Sequence, residues 1–204
     1  MEVTESMPHR LSLWIKIPYT IFMLVLVPVY WYYRGPQNFL WGCDIALFLA
    51  LIAIWREWAL PASMAMLITL IPDVVWNLDL LARLAGVDML GINATAYMLD
   101  ETLPPIIRLL SLFHVFLAPM LLWVIYRLGY DKRALLWQIL LTIAVLPNSF
   151  YFTDPERNIN WVHSIGTSSP PWPEGIIHVL ALMLIVSLFV YLPTHMLLRH
   201  YFRK

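Results

Sequence analysis

Residues 60–81 read LPASMAMLITLIPDVVWNLDLL. At about 1.5 Å of rise per residue this run reaches about 33 Å as a helix, enough for the roughly 30 Å hydrocarbon core of a bilayer. Five more runs of the same kind flank it, at roughly 13–33, 39–54, 106–128, 135–152 and 176–191. With 61% hydrophobic residues and a mean hydropathy of +0.71, little apolar sequence is left for a soluble core. The expectation is one all-α domain over residues 1–204, a polytopic membrane protein with six transmembrane helices.

The charges orient it. If the N-terminus is cytoplasmic, nine basic residues face inward: Arg10, Lys16, Arg56, Arg127, Lys132, Arg133, Arg199, Arg203 and Lys204. Four face outward: Arg34, Arg83, Arg108 and Arg157. The positive-inside rule then puts both termini in the cytoplasm. The first run carries Glu2 and Glu5 before it and ends in Tyr-Trp-Tyr-Tyr-Arg, so it reads as a retained helix and not a cleaved leader. A net charge of +0 gives no reason to expect nucleic acid. Membrane lipids, and other membrane-protein subunits, are the expected partners. The lone Cys43 excludes an internal disulfide and a multi-cysteine metal site.

The inner connections are short, at Arg56-Glu57 and Gly129–Arg133, which makes the helices they join antiparallel neighbours. Two outer loops are long, Ala82–Pro105 and Thr153–Gly175, and long irregular segments in a small protein cover or build something. Pro28, Pro72, Pro119 and Pro147 lie inside spans and free carbonyls one turn earlier. The Trp and Tyr residues cluster at helix ends as an interfacial belt. His195 and His200, beside Arg199, Arg203 and Lys204, read as a solvated basic end.

Polar groups inside spans are costly and face the bundle interior. Here they fall in the outer half: Asp44 early in the second helix; Asp73, Asn77 and Asp79 late in the third; Arg108, Ser111 and His114 early in the fourth; Asn148 and Ser149 late in the fifth. Asp73 and Asn77 are four apart and share a face, while Asp79 points about 120° away, toward the interface. Gln138, Thr142 and Ser149 line one face of the fifth helix. Asn160 and His163 in the second long loop, and His178 at the start of the last helix, complete an outward-facing polar pocket. Asp73 and His114 are its catalytic candidates. Asp44, Asn77, Arg108, Ser111, Asn148, Ser149, Asn160, His163 and His178 are its ligand-binding candidates. Asp73 and Arg108, at similar depth, are expected to pair. Each residue also has a structural reading: an ion pair, an interhelical hydrogen bond, or a cap on a carbonyl freed by proline.

Several chemistries compete. Asp73, His114, His163 and His178 include metal-ligand types but have no HExxH-like spacing, so no metal is expected. A Ser-His-Asp set could draw on Ser111 or Ser149, yet no nucleophile-elbow sequence is present. A bis-His haem needs a second deep histidine. No cofactor is specified.

Ser111-Leu112-Phe113-His114, Tyr126–Arg133, and Thr153-Asp154-Pro155 with Asn158–Val162 together resemble an uncharacterised group of small bacterial polytopic membrane proteins. The resemblance covers most of the chain from Phe39 onward and implies a bacterial inner membrane, with no activity to transfer. His163-Ser164 stands where the group's pattern suggests Phe-Gly. The function expected is the handling of a lipid or amphiphilic small molecule in the pocket. The alternative is a non-catalytic accessory or assembly subunit of a larger membrane complex.

Overall fold

The computed structural model describes residues 11–87, 94–164 and 175–202, and among them there are helices but no strands. Six long helical segments follow in order: α1 Leu13–Arg34, α2 Gly42–Arg56, α3 Ala59–Leu84, α4 Pro105–Leu128, α5 Ala134–Phe152 and α6 Ile176–Tyr201. Five of them are long and apolar enough to cross a membrane. The exception is α2.

The run at 39–54, expected as one helix, is a short turn followed by a helix. Gly35, at φ 72°, ends α1, and Pro36 opens a separate 3₁₀ turn over Pro36–Leu40. Trp41 then takes an extended conformation, so the helix starts only at Gly42. Its 15 residues reach about 22 Å. Apolar Phe39, Leu40 and Trp41 belong to the turn.

Helix α3 is the centre of the bundle. Every residue from Leu60 to Leu67 is buried, the mark of a helix covered on all sides. Against it packs α2, whose Ala46, Ala50 and Ala53 have no exposed surface. Small side chains at that spacing let two backbones approach closely, which is how helices associate where lipid removes the hydrophobic incentive. The outer surface is apolar, with Trp14, Trp31, Tyr32 and Tyr126 among its exposed residues, as the aromatic belt requires.

Two other helices depart from expectation. The α4 helix is broken at Leu112 into Pro105–Ser111 and Phe113–Leu128. Ser111 Oγ bonds back to the Ile107 carbonyl, a local contact that bends helices. The last helix runs past its expected end at Tyr191. Pro193 cannot supply the bond to Phe189, and a π-helical turn over Ser187–Tyr191 absorbs the fault before helix resumes at Leu192–Tyr201. His195 is therefore buried and bonds Tyr130 Oη at 2.7 Å; it is not part of a solvated end.

Cross-helix contacts sort to two ends. At one, Lys16 Nζ pairs with Glu57 at 2.8 Å, Ser63 Oγ accepts from the Asp131 amide, and Tyr130 meets His195. At the other lie Tyr30–Ser111, Trp76–Tyr97, Asp79–Thr95 and Gly42–Asn160. The parts of the long loops at 88–93 and 165–174, with Asn93 and the Pro170–Pro173 run, lie outside the described residues.

Candidate functional site

Helix periodicity sets Asp73 and Asn77 on one face of α3, and His114 of α4 faces them, two residues after the break at Leu112. His114 Nδ1 lies 2.9 Å from Asp73 Oδ1. Asn77 Nδ2 donates to the carbonyls of Asp73 and His114, at 2.7 and 2.9 Å, tying the two helices beside the pair. Trp76 stacks on the His114 ring at 4.7 Å between centroids and 27° between planes. Asp73 is 2% exposed, and its Oδ2 is buried without a hydrogen-bond partner.

With Asp73 as a carboxylate, Nδ1–H donates to it and Nε2 keeps the lone pair. A carboxylate that holds an imidazole in one tautomer and orientation is the arrangement of a base and its orienter. The pair opens into a crevice of about 230 Å³ between α3 and α4, lined by Asp73, Val74, Asn77, Leu78, His114, Val115, Ala118 and Pro119. Val74, Leu78 and Val115 are 51%, 50% and 50% exposed, so the mouth lies on the apolar flank of the bundle. Pro119 has no N–H, which leaves the Val115 carbonyl without its helical partner at the crevice wall.

The other expected site residues are placed elsewhere, and one common polar pocket does not assemble. Asp44 Oδ2 accepts from Asn38 Nδ2 at 2.9 Å. Ser111 bonds Tyr30 Oη at 3.0 Å and the Ile107 carbonyl, facing α1 and not His114. Ser149 Oγ accepts from Asn160 Nδ2 at 3.1 Å. No serine therefore stands on the Asp73–His114 pair, and a Ser-His-Asp set is not built among the described residues. Asn160 also bonds the Leu40 carbonyl and the Gly42 amide, locking the loop to the start of α2. Asn148 is exposed and bonds only the Ala144 carbonyl of its own helix. His178 Nε2 donates to the Trp161 carbonyl at 2.9 Å. His163 packs on Phe150, and burial, with His178 nearby, holds its pKa below the ordinary value.

Two residues differ from the expectation in partner or placement. Asp73 meets His114, and among the described residues no ion pair joins it to Arg108. On α4, Arg108 stands six residues before His114, which turns it about 120° away. Asp79 is 1% exposed and not interfacial: its Oδ2 accepts from the backbone amide and hydroxyl of Thr95, and Arg83 Nε lies 3.8 Å from it.

Sequence reasoning overlooked Tyr30 and Tyr97. Buried Tyr30 continues the face Lys16, Tyr19, Met23, Leu26, a spacing of three and four that marks the inner side of α1. Tyr97 comes from a loop turn and accepts from Trp76 Nε1 at 3.3 Å; nothing in its neighbours signals that. Among the described residues, no three His, Cys, Asp or Glu side chains gather closely enough to hold one metal ion. Compared with protein-family models, curated proteins and solved structures, the chain matches none of them.

Proposed function

We propose that this is a bacterial inner-membrane protein that handles a lipid or another amphiphile in the α3–α4 crevice. The apolar part of the ligand enters sideways from the hydrocarbon, and a polar group is presented to His114. The observation that carries the reading is the position of the Asp73–His114 pair behind a mouth of Val74, Leu78 and Val115. A polar dyad open to lipid is expensive unless something uses it. Asp73 orients the imidazole, Asn77 holds the helix spacing, and Trp76 covers one ring face, so Nε2 is left to accept or deliver a proton.

The reading takes the chain as crossing the membrane six times, with α2 and the turn before it as one pass. In its support, residues 11–16, 57–63, 130–131 and 195 share one end of the bundle, as the hydrogen bonds above require. The basic residues Lys16, Arg56, Arg127, Lys132, Arg133 and Arg199 fall toward that end, which we place in the cytoplasm.

Reconstitution with a phospholipid bearing a diazirine in its acyl chain tests the crevice. Cross-links should concentrate on Val74, Leu78 and Val115 and fall when Ala118→Trp fills the space. Cross-links spread evenly over the apolar flank, and indifferent to that substitution, would remove the basis of the proposal.

A further inference from the structure

Arg34, Arg108 and Arg157 lie toward the end of the bundle opposite Glu57, with Asp44, Asp100 and Asp154 near enough to act on one or another of them but none close enough to pair. Among the described residues Arg34, Arg108 and Arg157 form no ion pair within 4.0 Å, whereas Lys16 and Arg133 at the other end are each paired. Their placement follows from one contact. Tyr30 Oη and Ser111 Oγ meet at 3.0 Å between the antiparallel α1 and α4. Arg34 is four residues beyond Tyr30 and Arg108 three before Ser111, so both residues stand about one turn past that contact, on facing helices. The exposed Asp100, held below the usual carboxylate range chiefly by Thr102, also feels Arg108 and Arg34, which brings both charges within range of one point.

Each arginine is short of an acceptor. Arg108 Nε is buried with no hydrogen-bond partner. Arg34 lies over the Tyr97 ring, 5.9 Å from its centroid. Arg157 donates to the Arg34 carbonyl and to Asn38 Oδ1; burial and then the like charge of Arg34 hold its pKa down, opposed in part by Asp154. Like charges drawn together at a helix end are relieved by an anion.

We infer that Arg34 and Arg108, above Tyr97, bind the phosphate of an anionic phospholipid whose ester region reaches His114 and whose chain lies in the α3–α4 crevice. A guanidinium fork matches phosphate oxygens two at a time, and the ends of two membrane helices lie at headgroup depth. A chain of side-chain contacts links the two parts: Arg34 on Tyr97, Tyr97 bonded to Trp76, Trp76 stacked on His114. The inference rests on the crevice reading for the chain and adds the class of headgroup.

The test uses the full chain in a neutral detergent, titrated with phosphatidylglycerol, phosphatidylcholine or inorganic phosphate, with the thermal midpoint as readout. Phosphatidylglycerol should raise the midpoint at concentrations where phosphatidylcholine does not. Arg34→Gln and Arg108→Gln should each weaken that response about tenfold, as losing one charge-assisted bond implies. Arg34→Lys should retain part of it. On the unaltered protein, phosphatidylglycerol should shield Arg34 and Arg108 from phenylglyoxal, so the site is tested even where a variant fails to fold. Equal responses to the two lipids, or no shielding, would overturn the inference. Inorganic phosphate reproducing the whole response would also overturn it, leaving a free-anion site. If acyl-chain cross-links still map to the crevice while the arginines go unshielded, only the headgroup assignment falls.

Discussion

Removing either member of the Asp73–His114 pair separates a built site from a chance contact. The two groups meet at 2.9 Å, with side chains 2% and 11% exposed, so solvent screens them little. His114→Ala leaves both Asp73 carboxylate oxygens without a side-chain partner, and stranding a buried charge costs roughly 3–5 kcal/mol. Asp73→Asn keeps the shape but gives up the charge assistance, which is about half of a bond worth roughly 1.5–3 kcal/mol. In the double variant neither loss is incurred twice, so it should be milder than the sum by about 1.5–3 kcal/mol. Asn77 bonds only backbone carbonyls here and should keep α3 and α4 together in all three variants. Equilibrium unfolding in bicelles, read by the accessibility of a labelled site, gives the four free energies of the cycle. Additivity within about 0.5 kcal/mol would refute the reasoning, because distant independent sites behave that way.

Three further outcomes follow from the same contacts. A Cβ at Gly42 would come 2.8 Å from Ile68 Cδ1 and 3.1 Å from its Cγ1, so Gly42→Ala should cost about 1–3 kcal/mol, and Ile68→Val, which deletes the nearer carbon, should recover part of it; thermal midpoints of the single and double variants decide this. Burial, with His178 nearby, holds the His163 pKa below the ordinary histidine value of about 6.5, so the unfolded chain binds more protons as pH falls; stability should drop below about pH 6.5, and His163→Phe should flatten that part of a midpoint-versus-pH curve. In a Cys43→Ser background, a cysteine at 132 should resist an impermeant thiol reagent applied from outside while one at 154 reacts, and the reverse pattern would invert the orientation.

The apolar runs and their lengths made five of the helices legible, because a span must satisfy every backbone group within itself. The second run misled because apolar content does not distinguish a helix from an interfacial turn. The local signals were Gly35 and Pro36, which end α1, and their force comes from contacts made far away in sequence, where Asn160 takes the Gly42 amide. Depth along each helix, and shared faces such as that of Asp73 and Asn77, were readable by counting residues; which face meets which neighbouring helix was not. Asp73, Arg108 and His114 share a depth range, and Arg108 and His114 lie about 120° apart on α4, so which of the two meets α3 depends on the rotation of α4 against it. Asp79 looked interfacial because its partner Thr95 lies in a loop that no periodicity places. The crevice was invisible for the same reason: its mouth is formed by Val74, Leu78 and Val115, which in the sequence are ordinary lipid-facing residues.

The central claim, that lipid enters between α3 and α4 to reach His114, is tested most directly by an electron cryo-microscopy map of the protein in a lipid nanodisc. The account predicts elongated density passing Val74, Leu78 and Val115 and ending within about 3 Å of the His114 ring, at hydrogen-bond reach. A crevice closed by the side chains of α3 and α4, with lipid density confined to the outer surface, would contradict it.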